Sequence, residues 1–255
     1  MGEPLVDVEC GNFSTTFTYA IQLQSREVHV IRANLRASSS AGARSLTWLS
    51  SDERDRAARY RFEEHRRRFI AGRVFLRTIL GAYLGIAPGE VRFSYGSHGK
   101  PSLDKNVHIA NIQFNVSASE ELALYAVAQD VPLGVDVERV SPRSGFDSIA
   151  RRICSPAEYQ KLADLPDAEK IEAFFHCWTR KEALAKAIGE GLLFPMDQYD
   201  VSTGGRVSSG LPGGNSANEA EWFLHDLSPA EGFVGALVVG LDAQTIRGFL
   251  YPELD

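Results

Sequence analysis

The sequence predicts an α+β fold made of two similar halves. Each half places one long helical pattern, at 68–84 and at about 168–188, among short segments rich in β-branched or apolar residues. The repeated order suggests an internal duplication. The expected boundaries are 1–25 for an irregular N-terminal extension, 26–130 and 131–250 for the two halves, and 251–255 for a C-terminal tail.

Composition narrows the class of protein. With 255 residues and 44% hydrophobic content, the chain has enough apolar residues for one large domain or two small ones. The net charge of −6 argues against general nucleic-acid binding, which needs an extended basic surface. Nine arginines nevertheless fall between Arg54 and Arg77. Most fit a solvated helical face, yet so many like charges also favour an anionic partner for some of them.

The cysteines and the short apolar runs indicate in which cellular compartment the protein is expected. Cys10, Cys154 and Cys177 are far apart and in no metal-binding spacing, so we expect neither a disulfide framework nor a structural zinc site. Cys177 is interpreted as a small buried helix residue rather than a nucleophile. No apolar run approaches about 18 residues and no secretion or lipidation signal is found, which predicts a cytoplasmic protein without membrane contact.

In the first half, local signals place helices and strands. Ser50–Glu53 has the form of a capping box that opens a helix, and Gly85 closes the helical pattern that ends at Leu84. A polar corner is expected at Ser117–Ser119, between two strands. The predicted strands are Glu27–Leu35, Glu90–Tyr95, Gln113–Val116 and Glu121–Ala128.

The turn Gly96–Pro101 contains the dipeptide Gly99-Lys100. It is not a P-loop, because the glycine spacing is wrong and Pro101 does not open a helix. We expect a tight turn whose backbone N–H groups and Lys100 offer a weak anion site.

The second half begins with the segment Pro132–Val140, predicted as a strand. Alternation along a strand puts Val135 and Val137 on one face and Asp136 and Glu138 on the other, with the acids roughly 6–7 Å apart. Adjacent like charges are relieved by a cation, so a divalent metal explains the pair. The alternative is the solvent-facing edge of an amphipathic strand.

Further elements follow that strand. Ser155–Glu158 predicts a capped helix ending near Leu165. A loop rich in Gly, Ser and Asn is expected at 204–218 and is interpreted as a flexible connection. The predicted strands are Gln198–Ser202, Glu221–Leu227 and Phe233–Leu241.

Residues 174–192 read as one helix that carries an acid and a base on one stripe. Glu182 and Lys186 are one turn apart, so both face the same side of the helix. Taken alone, such a pair is most often a solvated surface pair worth about 0.2–0.5 kcal/mol. The acids of the Pro132–Val140 strand favour a shared site instead.

Two motifs together carry a family resemblance. Gly134-Val135-Asp136-Val137-Glu138, followed about forty residues later by Trp178-Thr179-Arg180-Lys181-Glu182-Ala183 and Lys186, resembles the paired signatures of the 4′-phosphopantetheinyl transferases. The chain looks most like the longer, surfactin-synthetase-activating type. It is about twice the length of the trimeric carrier-synthase type, and its first half has matching pieces at Arg68, Gly99-Lys100-Pro101 and Phe114–Ser117.

The resemblance implies a monomer of two similar subdomains in a pseudo-twofold arrangement, with coenzyme A and Mg²⁺ in the cleft between them. Asp136, Glu138 and Glu182 match the metal-binding acids. The implied reaction is attack of a serine hydroxyl of an apo acyl or peptidyl carrier protein on coenzyme A, with release of adenosine 3′,5′-bisphosphate. Asp136, Glu182 and Lys186 are the expected catalytic residues, with Glu182 as general base and Lys186 near the pyrophosphate.

The resemblance also implies a coenzyme A site, with one departure. The family usually has histidine directly after the serine of the Phe-Asn-x-Ser motif, where this chain has Ala118. Because that histidine is expected to contact phosphate, its absence should weaken coenzyme A binding. The residues expected to bind coenzyme A are Arg68, Ser97, His98, Gly99, Lys100, Pro101, Asn115, Ser117 and Lys186.

Two other functions remain open at this point. One is a non-catalytic module that binds coenzyme A or a carrier protein, with Ala118 as its mark. The other is an Mg²⁺-dependent phosphate-ester hydrolase, which would use similar acids and a lysine but transfer the group to water.

Overall fold

The computed structural model describes residues 21, 23–24, 26–36, 46–96, 99–108, 111–142, 145–189, 194–202, 204–207, 221–240 and 245–250. The helices in these ranges are α1 (Ser51–Ala58), α2 (Glu63–Leu84), α3 (Phe146–Ile153), α4 (Pro156–Ala163) and α5 (Asp167–Ile188). The strands are β1 (Glu27–Asn34), β2 (Phe93–Tyr95), β3 (Pro101–Leu103), β4 (Ile112–Ser119), β5 (Leu122–Gln129), β6 (Leu133–Arg139), β7 (Gly205–Val207), β8 (Trp222–Ala230), β9 (Phe233–Val239) and β10 (Thr245–Leu250). The predicted α+β class is confirmed.

The ends of the helices follow the predicted local signals. Ser50 precedes α1 and its N–H donates to the Glu53 carboxylate at 2.9 Å. Ser155 caps α4, since its hydroxyl accepts from the Glu158 N–H at 3.2 Å. The two long helices both end on glycine in the left-handed region, at Gly85 (φ 68°) and Gly189 (φ 89°), where a side chain would be strained.

The strands form two four-stranded sheets and one two-stranded hairpin. The first sheet has the order β10-β1-β5-β4, the second has the order β6-β9-β8-β7, and β2 pairs with β3. Among the described strands, all pairs are antiparallel except β1 with β10. The last described strand, at 245–250, therefore joins the first sheet although it follows the second in sequence.

The long helices pack on the outer faces of the sheets, and the inner faces pack on each other. The α2 cluster contains Ile31, Phe75, Ile79 and Tyr125. A cluster between the sheets contains Val30, Leu124, Val135 and Leu237. The α5 cluster contains Ala183, Leu184, Ala236 and Val238. Layers of this kind place β4 and β6, the edge strands of the two sheets, next to each other.

Gly134 sets the distance between β6 and α5. A Cβ at this position would overlap the Ala183 carbonyl oxygen and the backbone nitrogen of Ala187. The absence of a side chain thus lets the strand lie directly against the helix. The acids of β6 and the polar stripe of α5 are brought together by this contact.

Several predicted elements need correction. Gln198–Ser202 is not a strand, because Met196–Gln198 form a 3₁₀ turn and the strand comes later, at Gly205–Val207. Glu90 belongs to a 3₁₀ turn, so β2 starts at Phe93. The expected corner Ser117–Ser119 lies inside β4, and the chain turns at Glu120 (φ 50°) instead.

The structure also adds elements that the patterns did not predict, α3, β3 and β10. Residues 1–20 of the expected N-terminal extension, residues 208–218 of the expected loop and the tail 251–255 lie outside the described residues. Among the helices of the described ranges, none combines the length and apolar character needed to cross a membrane.

Candidate active site

The edge strands β4 and β6 are joined by side chains along one face of β4. We call this contact the β4–β6 seam. Polar residues recur at every second position of β4, and Asn115, Ser117 and Ser119 each meet β6. Asn115 Oδ1 accepts from the Val135 N–H at 2.9 Å, Ser117 Oγ donates to Asp136 Oδ1 at 2.7 Å, and Ser119 Oγ donates to Glu138 Oε2 at 2.8 Å. The seam fixes both acids of β6 in place.

The Asp136 carboxylate lies at the centre of the seam and is only 4% exposed. Its Oδ1 accepts from the Lys186 ammonium at 2.6 Å and from the Ser117 hydroxyl at 2.7 Å. Its Oδ2 is also buried but has no hydrogen-bond partner among the described residues. A buried, unsatisfied carboxylate oxygen is costly, so this atom has the chemistry of a cation ligand.

Lys186 lies in the last turn of α5 and reaches across to the seam. Its Nζ donates to Ser117 Oγ at 3.0 Å and to the Val135 carbonyl at 3.2 Å, besides its bond to Asp136. Lys100 comes from the other side and donates to the Lys186 carbonyl at 2.5 Å. Burial and the nearby Lys186 charge lower the pKa of Lys100 to about 8. Two cationic side chains therefore lie at the C-terminal end of α5.

Glu182 lies one turn before Lys186 and faces the same acids. Burial raises the pKa of Glu182, and the negative charges of Asp136 and Glu138 raise it further, while Lys186 acts in the opposite direction. The three carboxylates are thus close enough to affect one another, although their oxygens do not all lie within 4.8 Å of each other. Such a group of acids holds negative charge that a cation would neutralise.

A cavity of about 360 Å³ opens on the opposite face of β4. Its lining includes Arg68, Arg73, Pro101 and Ala118. The Arg68 guanidinium pairs with Glu64 at 2.6 Å, and its Nε is buried without a hydrogen-bond partner among the described residues. The cavity therefore combines mainly apolar side chains with the Arg68 guanidinium, which keeps one donor without a partner among the described residues.

The structure divides the residues expected to bind coenzyme A between the two faces of β4. Arg68 and Pro101 line the cavity, whereas Asn115, Ser117 and Lys186 belong to the seam. Gly99 makes its turn with φ 75°, and Lys100 contacts α5 rather than the Arg68 cavity. Ser97 and His98 lie outside the described residues.

Sequence reasoning missed Ser119, the partner of Glu138. The signal was present in the period of two that relates Asn115, Ser117 and Ser119, which is the period of one strand face. The corner predicted at Ser117–Ser119 conceals this period, because a corner would interrupt the alternation of a strand.

The run of arginines has a partly structural explanation. Arg73 and Arg77 both contact the buried Glu53 carboxylate. Exposed arginines of α2 pair with acids on their own helix, as Arg67 does with Glu63 at 3.3 Å. These contacts account for several of the nine without an external partner.

Comparison with known proteins adds to this geometry. Residues 132–238 match the sequence model of the 4′-phosphopantetheinyl transferase superfamily. Residues 36–130 match the model described as 4′-phosphopantetheinyl transferase, N-terminal. The two matched segments meet at the seam, which draws its side chains from both.

Individual relatives agree with the two sequence models. The 4′-phosphopantetheinyl transferase HetI of Nostoc sp. is 40% identical over 219 residues, which cover 86% of this chain and 90% of that protein. A 4′-phosphopantetheinyl transferase of Bacillus subtilis is 30% identical over 174 residues, covering 68% of this chain and 75% of the relative. The transferase Sfp of Bacillus subtilis is 30% identical over 175 residues, with 68% and 75% covered.

Proposed function

This chain belongs to the 4′-phosphopantetheinyl transferase family and transfers the phosphopantetheine group of coenzyme A to carrier proteins, and we propose that the β4–β6 seam and α5 form its active site. The alternatives, a non-catalytic module and a phosphate-ester hydrolase, are not supported by these relatives. The observation that carries the proposed site is the convergence of Asp136, Glu138, Glu182 and Lys186 on one seam.

The acids of this site suit a magnesium ion. The buried Asp136 Oδ2 lacks a partner among the described residues, and Glu182 is held close to two further carboxylates. Oxygen ligands of this kind are those that Mg²⁺ prefers. Asp136, Glu138 and Glu182 would hold the ion, which when bound neutralises the charge on the pyrophosphate of coenzyme A.

The residues of the site have separate roles in the transfer. The carrier serine oxygen forms a bond to the β-phosphorus of coenzyme A, while the bond from that phosphorus to the bridging oxygen breaks and adenosine 3′,5′-bisphosphate leaves. We assign the acceptance of the serine proton to Glu182, because its carboxylate lies on the side of α5 that faces Asp136 and Glu138, one turn before Lys186. Lys186 supplies positive charge beside the acids.

The Arg68 cavity is the proposed place for the nucleotide end of coenzyme A. It offers the Arg68 side chain, whose Nε has no partner among the described residues, and it lies across β4 from the acids. Ala118 contributes only a methyl group to this cavity. We therefore expect weaker phosphate contacts here than a histidine at that position would provide.

We further propose that the protein acts as a cytoplasmic monomer. One chain supplies both sides of the seam, β4 from the first sheet and β6 with α5 from the second, so a second copy is not required to complete it. The free thiols of Cys154 and Cys177 fit a reducing compartment. Light scattering coupled to size exclusion would test the monomer.

The transfer is tested by intact-protein mass spectrometry of an apo carrier protein incubated with coenzyme A and Mg²⁺. The expected result is a gain on the carrier equal to one phosphopantetheine group, lost when a chelator removes the metal. Release of free phosphopantetheine without a gain on the carrier would indicate the hydrolase. An unchanged carrier with every acyl and peptidyl carrier tried would contradict the transferase.

A further inference from the structure

A pair of thiols lies away from the proposed active site. Cys154 follows the last residue of α3, and Cys177 lies in the middle of α5. Their sulfur atoms are 3.4 Å apart, although 22 residues separate them in sequence. Neither thiol is among the residues proposed above for the phosphopantetheine transfer.

The surroundings of the pair are charged and closed. The Lys181 ammonium is completely buried and contacts the Glu158 carboxylate at 2.6 Å. That carboxylate also accepts from the Ser155 N–H at 2.7 Å and from the Val201 N–H at 2.5 Å. Glu158 and the two cysteines offer ligand atoms within 4.8 Å of one another, but the carboxylate already accepts from Lys181 and from two backbone N–H groups, so a metal ion would have to compete with those contacts.

The geometry of the pair suits a disulfide better than a metal. The sulfurs need to approach from 3.4 Å to about 2.05 Å, the length of an S–S bond. Cys154 is buried and Cys177 has intermediate exposure. The hydrogen bond with the Cys177 thiol lowers the pKa of Cys154, and the same bond raises the pKa of Cys177.

We propose that Cys154 and Cys177 form a reversible oxidation site. A peroxide oxidises the two thiols, and the product is a disulfide between them. One thiol attacks a peroxide oxygen and the O–O bond breaks. The products are a sulfenic acid and either water, from hydrogen peroxide, or an alcohol, from an organic peroxide. The second thiol then displaces the hydroxyl of the sulfenic acid, which leaves as water, and the S–S bond forms. A dithiol reductant returns both thiols.

The disulfide would join the α3–α4 junction to α5. Cross-linking residues that are this far apart in sequence restricts the unfolded chain, so the oxidised protein should be the more stable form. Glu182 and Lys186 lie at least one helical turn beyond Cys177, and their side chains face the seam. We therefore expect the oxidised enzyme to keep its transfer activity.

The test uses the full chain with Cys10→Ser, so that only the two thiols remain. After treatment with hydrogen peroxide, non-reducing peptide mapping should find a Cys154–Cys177 cross-link and the intact mass should fall by two hydrogen atoms. The thermal midpoint should rise by roughly 5–10 °C, and dithiothreitol should reverse both changes. Cys177→Ser in the same background is the control, and its midpoint should not rise.

Three results would overturn the proposal. The first is that both thiols still react with an alkylating agent after peroxide has fully oxidised a free dithiol in the same tube. The second is oxidation of Cys177 to sulfinic acid without a cross-link. The third is that the purified wild-type protein contains one zinc ion per chain while the Cys177→Ser variant contains none. That result would make the pair a metal site.

Discussion

Two buried acids, Glu53 and Asp136, lie in opposite kinds of environment. Glu53 is 2% exposed, and its two oxygens accept from Arg73, from Arg77 at 2.7 Å and from the Ser50 N–H. Asp136 is 4% exposed, but both of its partners use the same oxygen. The first cluster is closed, and the second leaves one oxygen available.

This difference separates a structural charge from a functional one. Burial raises the pKa of Glu53, yet the arginines and the Ser50 N–H outweigh it and the pKa is lowered overall. Around Asp136, the neighbouring Glu182 has its pKa raised by burial and by like charges. In a cluster that only stabilises the fold, every carboxylate oxygen has a hydrogen-bond donor. In the seam, neighbouring carboxylates repel one another, and a bound cation would relieve that repulsion.

The largest expected effect comes from opening the closed cluster with Glu53→Gln. It leaves Arg73 and Arg77 without a countercharge, and we expect a loss of about 3–5 kcal/mol in the free energy of unfolding. Urea titration measures it. Glu63→Gln is the matched control, because Glu63 also contacts two arginines but is 55% exposed, and it should cost less than about 1 kcal/mol. Equal losses in the two variants would contradict the distinction.

The next effect comes from removing the cation of the open cluster with Lys186→Ala. We expect turnover to fall about 10²-fold while the fold persists, because one group that stabilises developing charge is worth about 3 kcal/mol of barrier. Steady-state transfer to a carrier protein measures it, with circular dichroism to verify folding. Lys170→Ala is the control on the same helix, since the exposed fractions of the two side chains are 25% and 27%. Near-normal turnover of Lys186→Ala would remove this residue from the mechanism.

The sequence predicted the parts of the site that depend on local periodicity. The strand alternation of Asp136 and Glu138 and the helical stripe of Glu182 and Lys186 need only the neighbouring residues to be recognised. Both are found where they were expected. The way Gly134 lets the strand approach the helix could be inferred only from the structure.

The contacts missed by sequence reasoning join residues far apart along the chain. The pairing of Glu53 with Arg77 spans 24 positions, and that of Cys154 with Cys177 spans 23. Strand β10 pairs with β1 from the other end of the described chain. Periodicity carries no information about such partners, because they depend on how complete elements pack.

A third effect is the opposite pH dependence of the two acids. Because the pKa of Glu53 is lowered below its usual 4.5, its contribution to stability is present above pH 4.5 and is lost as the pH falls through the folded-state value. The pKa of Glu182 is raised above 4.5, so the folded protein binds a proton more readily and loses stability as the pH rises through the raised value.

This opposition can be measured with two variants without metal. At neutral pH, Glu182→Gln should be more stable than the wild type, and the difference should vanish below pH 4.5. Glu53→Gln should be less stable at neutral pH, and that deficit should shrink on acidification. Urea titrations in chelator across the pH range provide the test. If both variants are less stable than the wild type at neutral pH, or both are more stable, the assignment of Glu182 to an open cluster is contradicted.

The smallest effect lies across β4, where Ala118→His would add a hydrogen-bond donor to the Arg68 cavity. One net hydrogen bond is worth about 1 kcal/mol, so the Kd for coenzyme A should fall about fivefold. Calorimetry in chelator measures binding at the cavity separately from the metal. The control is Ala168→His, at an exposed alanine near the start of α5, which should leave the Kd unchanged. Weaker binding by Ala118→His would show that the nucleotide does not occupy this cavity and would leave the role of the seam acids intact.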